Sequence, residues 1–196
     1  MAIGSLDKAG RLEQLKTYAR VQVWSGYRSP ADVRSDVYDA LLDEVKDPSE
    51  AERLTSDYLV QAERDLESAA AEWPDPSAFD RLQATFEDLR EQGLIVLEAC
   101  EDHWSANAAL ETAGAEGPEP AGIAYFTHAD VWHAVEHGML ELNVWHPSTA
   151  NVAPGDPLLE RVQEALARHR ISSVFDEGRI EVSVAWERRP ARPHSA

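Results

Sequence analysis

Apolar residues recur every three or four positions through three stretches of the first 73 residues, which is the spacing of amphipathic helices. Two of these stretches begin with a helix start signal, Ser29-Pro30 and Asp47-Pro48, in which a capping side chain precedes a proline at the first helical position. We therefore predict helices over about residues 5–24, from Pro30 onward, and from Pro48 to about Glu72. The residues expected to face their core are Leu12, Leu15, Ala19, Val23, Val33, Val37, Leu41, Val45, Leu54, Tyr58, Ala62 and Leu66.

Two prolines close together, Pro74 and Pro76, exclude a continuous helix and mark a candidate boundary in the chain. The sequence predicts a helical part over residues 1–73 and an α/β part over residues 77–187, which we expect to pack as one compact unit. Residues 188–196 contain three arginines and two prolines, and we expect a disordered tail there.

After the boundary the pattern changes to short apolar or alternating runs separated by turn residues, as in β-strands. The run that follows Gly93 is nearly all apolar, which is typical of an interior strand. Leu140, Leu142 and Val144 alternate with other residue types, which is typical of a half-buried strand. The predicted strands are Leu94–Ala99, Gly122–Phe126, Met139–Trp145, Ser172–Phe175 and Arg179–Trp186.

Helical patterns separate most of these strands. We predict a helix from Pro76, a short helix at residues 106–113 capped by Ser105, a helix between Thr127 and Gly138, and a helix from Pro157. Helices between strands indicate crossovers, whereas the last two strands form an antiparallel hairpin. The predicted fold is therefore α+β, with an N-terminal bundle of about three helices packed beside a small mixed sheet of about five strands with interleaved helices.

One motif resembles a catalytic metal site. Residues 133–137 read HAVEH, the H-x-x-E-H order of the inverted zinc peptidases. His133 and His137 lie one helical turn apart, so both imidazoles can reach one zinc ion, with Glu136 beside them as general base. The candidates for a third ligand are Glu141, Glu160 and Glu164. The alternative is a surface helix with solvated histidines, which the short length of the helix favours.

A second arrangement involves the only cysteine in the chain. Cys100 and His103 follow the first predicted strand with C-x2-H spacing and can contribute two ligands to a zinc ion. His128 and His146 lie near other strand ends and are the candidates for the remaining pair. The alternative is a buried, unreactive thiol beside a surface histidine, and spacing alone does not decide whether these strand ends are adjacent.

The charge of the chain restricts its partners. Lys and Arg number 18 against 36 Asp and Glu, for a formal net charge of −18. Such an excess argues against binding of nucleic-acid phosphates or anionic membranes, and it fits either high solubility or a partner with a basic surface. Within residues 32–72, thirteen acidic side chains stand against four basic ones, a balance of −9. The alternative is that these acidic residues form the solvated sides of two amphipathic helices.

Other features concern the cellular compartment. No apolar run approaches the roughly 20 residues that a membrane helix needs. The first ten residues lack the basic and apolar segments of a signal peptide. A single cysteine permits no intrachain disulfide and fits a reducing compartment. We therefore expect a cytoplasmic protein.

Two functional hypotheses follow. The chain has no phosphate-binding glycine loop, no G-x-S-x-G elbow and no CxxC pair. The first hypothesis is a non-enzymatic acidic protein without a cofactor, which masks a basic partner as an immunity protein or inhibitor does, with Trp132 and Trp145 as contact residues. The second is a zinc-dependent hydrolase that uses His133 and His137 as ligands and Glu136 as base.

Segments spread over most of the chain form a recognisable set. They are residues 24–27 (WSGY), 73–74 (WP), 79–82 (FDRL), Phe86, Leu89, 93–96 (GLIV), 125–126 (YF), Asp130, 134–135 (AV), Gly138 and 140–142 (LEL). Together they resemble a family of uncharacterised, mostly actinobacterial proteins, which carries no established activity and so implies no functional residue.

The resemblance also bears on both metal hypotheses. Similar proteins often carry a cysteine-rich segment after the first strand, where this chain has only Cys100 and His103. They also lack histidines that match His133 and His137. The resemblance therefore supports neither metal site.

Overall fold

A computed structural model describes residues 7–190, which divide into two compact units. The helical unit contains residues 7–73 together with 188–190, and the mixed unit contains residues 74–187. Within the described chain, no helix combines the length and the apolar character that crossing a membrane requires.

The helical unit consists of α1 (Lys8–Ser25), α2 (Pro30–Val45) and α3 (Pro48–Glu72). Side-chain oxygens of Asp7, Ser29 and Asp47 accept hydrogen bonds from backbone N–H groups in the first turns of these helices. The start signals in the sequence are thereby confirmed. The buried residues of the core are Ala19, Val33, Val37, Leu41, Ala51, Leu54 and Leu59.

The first residues of the expected tail pack against the helical unit. The guanidinium of Arg188 donates a hydrogen bond to the carbonyl of Ser25 at 3.0 Å and lies 4.1 Å from the ring centroid of Tyr27. Arg189 donates to the carbonyl of Trp73 at 3.1 Å. Arg188 and Arg189 therefore differ from the expected disorder, because helix-end carbonyls and an aromatic ring bind their cations. Residues 191–196 lie outside the described residues.

The mixed unit alternates helices and strands and confirms the predicted α+β fold. Its elements are α4 (Ala78–Glu91), β1 (Leu94–Cys100), α5 (His103–Glu116), β2 (Gly122–Thr127), α6 (His128–His137), β3 (Met139–Trp145), α7 (Pro157–Arg168), β4 (Ser172–Asp176) and β5 (Arg179–Ser183). The strand order is β1-β2-β3-β5-β4. Only the pair β1-β2 is parallel in this sheet, and α5 provides its crossover.

Three local predictions are wrong. Strand β1 lies at an edge of the sheet and not in its interior, and its apolar composition arises because α4 and α5 both pack against it. Helix α5 begins at His103 and not after Ser105, because the carboxylate of Asp102 accepts a hydrogen bond from the Ser105 N–H at 3.0 Å. Strand β5 ends at Ser183, three residues before the predicted end.

The two faces of the sheet have different composition. On the inner face, Phe126 of β2 stacks on Phe86 of α4 at a ring distance of 6.0 Å. The register places Leu140, Leu142, Val144, Ile180 and Val182 on this same face, and all five are fully buried. On the outer face, α5 packs over Ile123 and Tyr125. Farther along that outer face, β3, β5 and β4 present mainly polar side chains that are half-buried or exposed.

Candidate functional site

Helix α6 lies between β2 and β3 and carries the HAVEH motif. The Asp130 carboxylate accepts hydrogen bonds from the backbone N–H of Thr127 at 2.7 Å and from its hydroxyl at 2.8 Å. Gly138 ends the helix with a left-handed φ of 68°. The predicted ends of this helix are confirmed, and its length is ten residues.

The two histidines of the motif lie side by side. The ring centroids of His133 and His137 are 6.1 Å apart, and both side chains are exposed on the same side of α6. Glu136 is half-buried. The sequence spacing therefore places two imidazoles together, as helical geometry requires.

A third metal ligand is missing from the described part of the chain. Nowhere in residues 7–190 do three His, Cys, Asp or Glu side chains form a group that could hold a metal ion. Of the suggested third ligands, Glu141 forms an ion pair with Arg179, and Glu160 and Glu164 are exposed on α7. A zinc-dependent hydrolase stays a prediction, with two adjacent candidate ligands.

Cys100 lies at the end of β1 with its thiol held by backbone carbonyls. Its Sγ donates to the carbonyl oxygens of Phe126 at 3.4 Å and of Asp102 at 3.5 Å. Burial raises the pKa of the Cys100 thiol. Because a metal ligand or nucleophile must be a thiolate, this environment favours an unreactive thiol.

The topology separates the histidines that were considered with Cys100. His103 begins α5 and His128 begins α6, at the end of the sheet where Cys100 pairs with Thr127. His146 follows β3 at the opposite end, because β3 runs antiparallel to β2. The Nε2 atom of His146 is 2.6 Å from Oδ2 of Asp156, the N-cap of α7.

Among the tryptophans, the two suggested contact residues are half-buried. Trp132 lies on α6, and the Trp145 ring packs edge-on against Tyr125 with centroids 4.8 Å apart. Burial raises the pKa of Tyr125 to about 12. Trp104 on α5 is much more exposed, with 66% of its surface accessible. Contact through Trp132 and Trp145 stays a prediction.

The outer face of the sheet has a concentration of carboxylates, which we call the acidic cleft. Its volume is about 140 Å³, and it is lined by Glu141, Asp176, Glu177, Arg179 and Glu181. Glu141 of β3 lies directly opposite Glu181 of β5 in the antiparallel ladder. Arg179 donates a hydrogen bond to Glu141, which raises the pKa of the arginine.

The arginine leaves most of the negative charge in the cleft uncompensated. Four carboxylates line the cleft beside one guanidinium, which pairs with Glu141 and also interacts electrostatically with Glu177. No ion pair is formed in the described structure by Asp176, Glu177 or Glu181. A site of this kind attracts cations, and its chemistry suits Lys and Arg side chains of another molecule.

Sequence reasoning missed this cleft because β3 pairs with β5, which is not the next strand in the chain. From the sequence, Glu141 was considered only as a possible metal ligand. The available signal was the alternation within each strand, which places Glu141 and Glu181 on polar faces. Their contact with each other required the strand order.

A second cleft, of about 320 Å³, lies between α5 and two loops of the mixed unit. It is lined by Asn107, Leu110, Glu111, Gly114, Glu119, Pro120, Pro147, Ser148 and Thr149. Two carboxylates are dispersed among amide, hydroxyl and apolar groups, so this cleft has no concentrated charge and no evident chemistry.

These features define an α+β protein with an acidic cleft on a mixed sheet. The chain belongs to the family described as domain of unknown function DUF6891, whose model matches residues 8–190. The resemblance inferred from the sequence is thus confirmed for the family, while the actinobacterial source stays a prediction. The comparison with curated proteins found no match, and neither did the comparison with solved structures.

Proposed function

We propose that the protein is a non-enzymatic binding protein whose acidic cleft contacts a basic partner protein. The observation that carries the proposal is the set of three carboxylates on Asp176, Glu177 and Glu181, which lack ion pairs within the described chain and border a cleft with a single cation. Charge complementarity of this kind accelerates encounter with a basic surface and discourages other partners.

The charge of the surrounding unit supports the same conclusion. Residues 74–187 contain twenty-one Asp and Glu against six Arg, a balance of −15. Residues 7–73 contain fifteen acidic against nine basic side chains, a balance of −6. Most of the net charge therefore belongs to the unit that contains the cleft, although the densest acidic stretch of sequence is in the helices. A cytoplasmic location, which fits the single cysteine, is part of this proposal.

The test uses a fluorescent twelve-residue peptide of alternating Lys and Val as a basic probe. Its affinity is measured by anisotropy for the full chain and for the triple variant Asp176→Asn, Glu177→Gln and Glu181→Gln. We expect the variant to bind the probe roughly tenfold more weakly at low salt, because it lacks the unpaired charges of the cleft. Added salt should weaken binding to the unchanged protein.

The matched control neutralises three exposed carboxylates of α3, in the variant Glu63→Gln, Glu67→Gln and Glu72→Gln. It has the same net charge as the cleft variant and tests the acidic helices as an alternative surface. Equal loss in the two variants would show that total charge, and not the cleft, attracts the probe. No binding of the probe to the unchanged protein would contradict the proposed function.

A further inference from the structure

The two edges of the sheet differ in their suitability for pairing with another strand. At the β1 edge the register shifts between Leu97 and Cys100, and Ala99 has a left-handed φ of 48°. Glu98 within this bulge accepts hydrogen bonds from Gln83 at 2.7 Å and Arg90 at 2.8 Å. A bulge and a charged side chain are the usual means by which proteins block edge pairing.

The β4 edge lacks a bulge, and its one charged residue, Asp176, lies at the end of the strand next to the turn. Strand β4 pairs with β5 without interruption over all five of its residues, and it contains no proline and no lysine. Within residues 7–190, the sheet places no strand on its other side. Val174 is 62% exposed near the middle of this edge. An uninterrupted edge with an exposed apolar residue is a template for strand addition.

The hairpin geometry identifies the backbone groups that point outward. Glu177 and Gly178 form the two-residue turn with φ values of 40° and 92°, which is the type I′ pattern. The pair that closes such a turn, Asp176 and Arg179, is hydrogen-bonded, and hydrogen-bonded pairs then alternate along the ladder. Ser173 and Phe175 are therefore the residues whose N–H and C=O groups point away from β5.

We infer that the β4 edge accepts an extended segment of the basic partner as a sixth strand of the sheet. This inference rests on the proposed function and specifies how the partner binds. Backbone groups of the added strand pair with Ser173 and Phe175. Every second side chain of that strand then lies on the outer face, beside the acidic cleft.

The charge pattern on the outer face favours basic residues at the positions of the added strand that lie on this face. Val174, Glu181 and Glu141 lie in one row across β4, β5 and β3. A Lys or Arg of the added strand can lay its aliphatic stem over Val174 and extend its charge toward Glu181, about two strand spacings of roughly 4.8 Å away. Asp176 lies on the same face of β4, two residues along.

The same charge argues against a second copy of this chain as the occupant. Each copy has a formal net charge of −18, and pairing through β4 brings two acidic outer faces together. Like charges in adjoining strands oppose association. The occupant we infer is thus an extended segment in which Lys or Arg alternates with other residues.

The first experiment measures amide hydrogen exchange by NMR in the full chain, with and without the Lys-Val probe peptide. The amides of Ser173 and Phe175 should exchange at least roughly tenfold more slowly when the probe is bound. The amide of Val174 already donates to β5 under the same alternation and should change much less. Probe binding with unchanged exchange at Ser173 and Phe175 would overturn the inference and leave the proposed function intact.

A pair of variants tests the same point independently. Ser173→Pro removes an outward N–H from an edge strand, where proline is tolerated, whereas Ser173→Ala keeps that N–H. We expect Ser173→Pro to bind the probe roughly tenfold more weakly and Ser173→Ala to bind nearly as well as the unchanged protein. If Ser173→Pro does not fold, the exchange experiment on the unchanged protein decides whether a strand is added at β4.

Two further outcomes of these experiments contradict the inference. Protection of Ser173 and Phe175 that rises with protein concentration, without any probe, would identify a second copy as the occupant. Equal affinity of Ser173→Pro and Ser173→Ala for the probe would show that the probe binds through side-chain charge and not through backbone pairing. Failure of the probe to bind the unchanged protein would instead refute the proposed function itself.

Discussion

The two faces of strands β3 and β5 differ sharply, although successive residues of the same strands alternate between them. Leu142 and Ile180 pair on the inner face and are fully buried. Their neighbours Glu141 and Glu181 pair on the outer face, where two like charges lie directly opposite each other. Such a pair lowers stability, although Arg179 compensates the charge of Glu141 through an ion pair. The comparison indicates that the inner face of these strands holds the fold together, whereas their outer face adds little to the core.

The largest expected effect is a difference in unfolding free energy between a substitution on the inner face and one on the outer face. Leu142→Ala should lower the free energy of unfolding by about 2–5 kcal/mol, because it removes buried methyl groups and leaves a cavity. Val174→Ala, also in the sheet but 62% exposed, should change it by less than about 0.5 kcal/mol. Urea denaturation followed by circular dichroism measures both. Similar losses in the two variants would show that the outer face also contributes to the core.

A smaller effect, of opposite sign, should appear on the outer face. Glu181→Gln removes one of two opposed charges and should raise the free energy of unfolding by about 0.2–1 kcal/mol at low salt. The gain should shrink at high salt, because salt screens exposed charges. Arg179→Gln should have the reverse effect, since it removes the cation that pairs with Glu141. Urea denaturation at two salt concentrations checks both, and a loss in Glu181→Gln would contradict our account of this pair.

The smallest effect concerns a contact between α4 and the residue that follows α7. Nε2 of His169, just after α7, lies 2.9 Å from Oδ2 of Asp88 on α4. This hydrogen bond, together with Arg168, holds the pKa of Asp88 below its ordinary value of 3.8. The folded state therefore binds the proton less readily than the unfolded state. The stabilisation is present above about pH 4 and is lost as the pH falls through the lower, folded-state value.

Asp88→Asn tests that contact through the acid side of the stability curve. The unchanged protein should be more stable than the variant at pH 5, and the difference should disappear toward pH 2. Denaturation at several pH values in this range measures it, with Glu87→Gln on the same helix as a control. A difference that stays constant down to pH 2 would exclude a titrating role for Asp88.

Much of the fold followed from local signals. The caps Ser29 and Asp47 and the end of α6 at Gly138 depend on a few neighbouring residues, so sequence reasoning found them. The interior position expected for β1 was wrong for a related reason. Apolar composition reports that both faces of a strand are covered, and helices cover both faces of this edge strand. Composition alone does not report how many neighbouring strands it has.

The candidate site was less accessible to sequence reasoning. His133 and His137 attracted attention because four residues along a helix guarantee proximity, and their rings do lie together. Glu141 and Glu181 are forty positions apart in sequence, and their contact depends on β5 entering the sheet between β3 and β4. No local pattern encodes that insertion.

The sequence by itself determined which segments form helices and strands, where most helices start, and that the protein carries a large negative charge. These properties depend on residues close together in the chain and on the sum of its charges. Only the tertiary structure decided which carboxylates share a cleft, which histidines are kept apart at opposite ends of the sheet, and which edge is left uninterrupted. Those outcomes depend on strand order and direction, which require contacts between residues far apart in the chain.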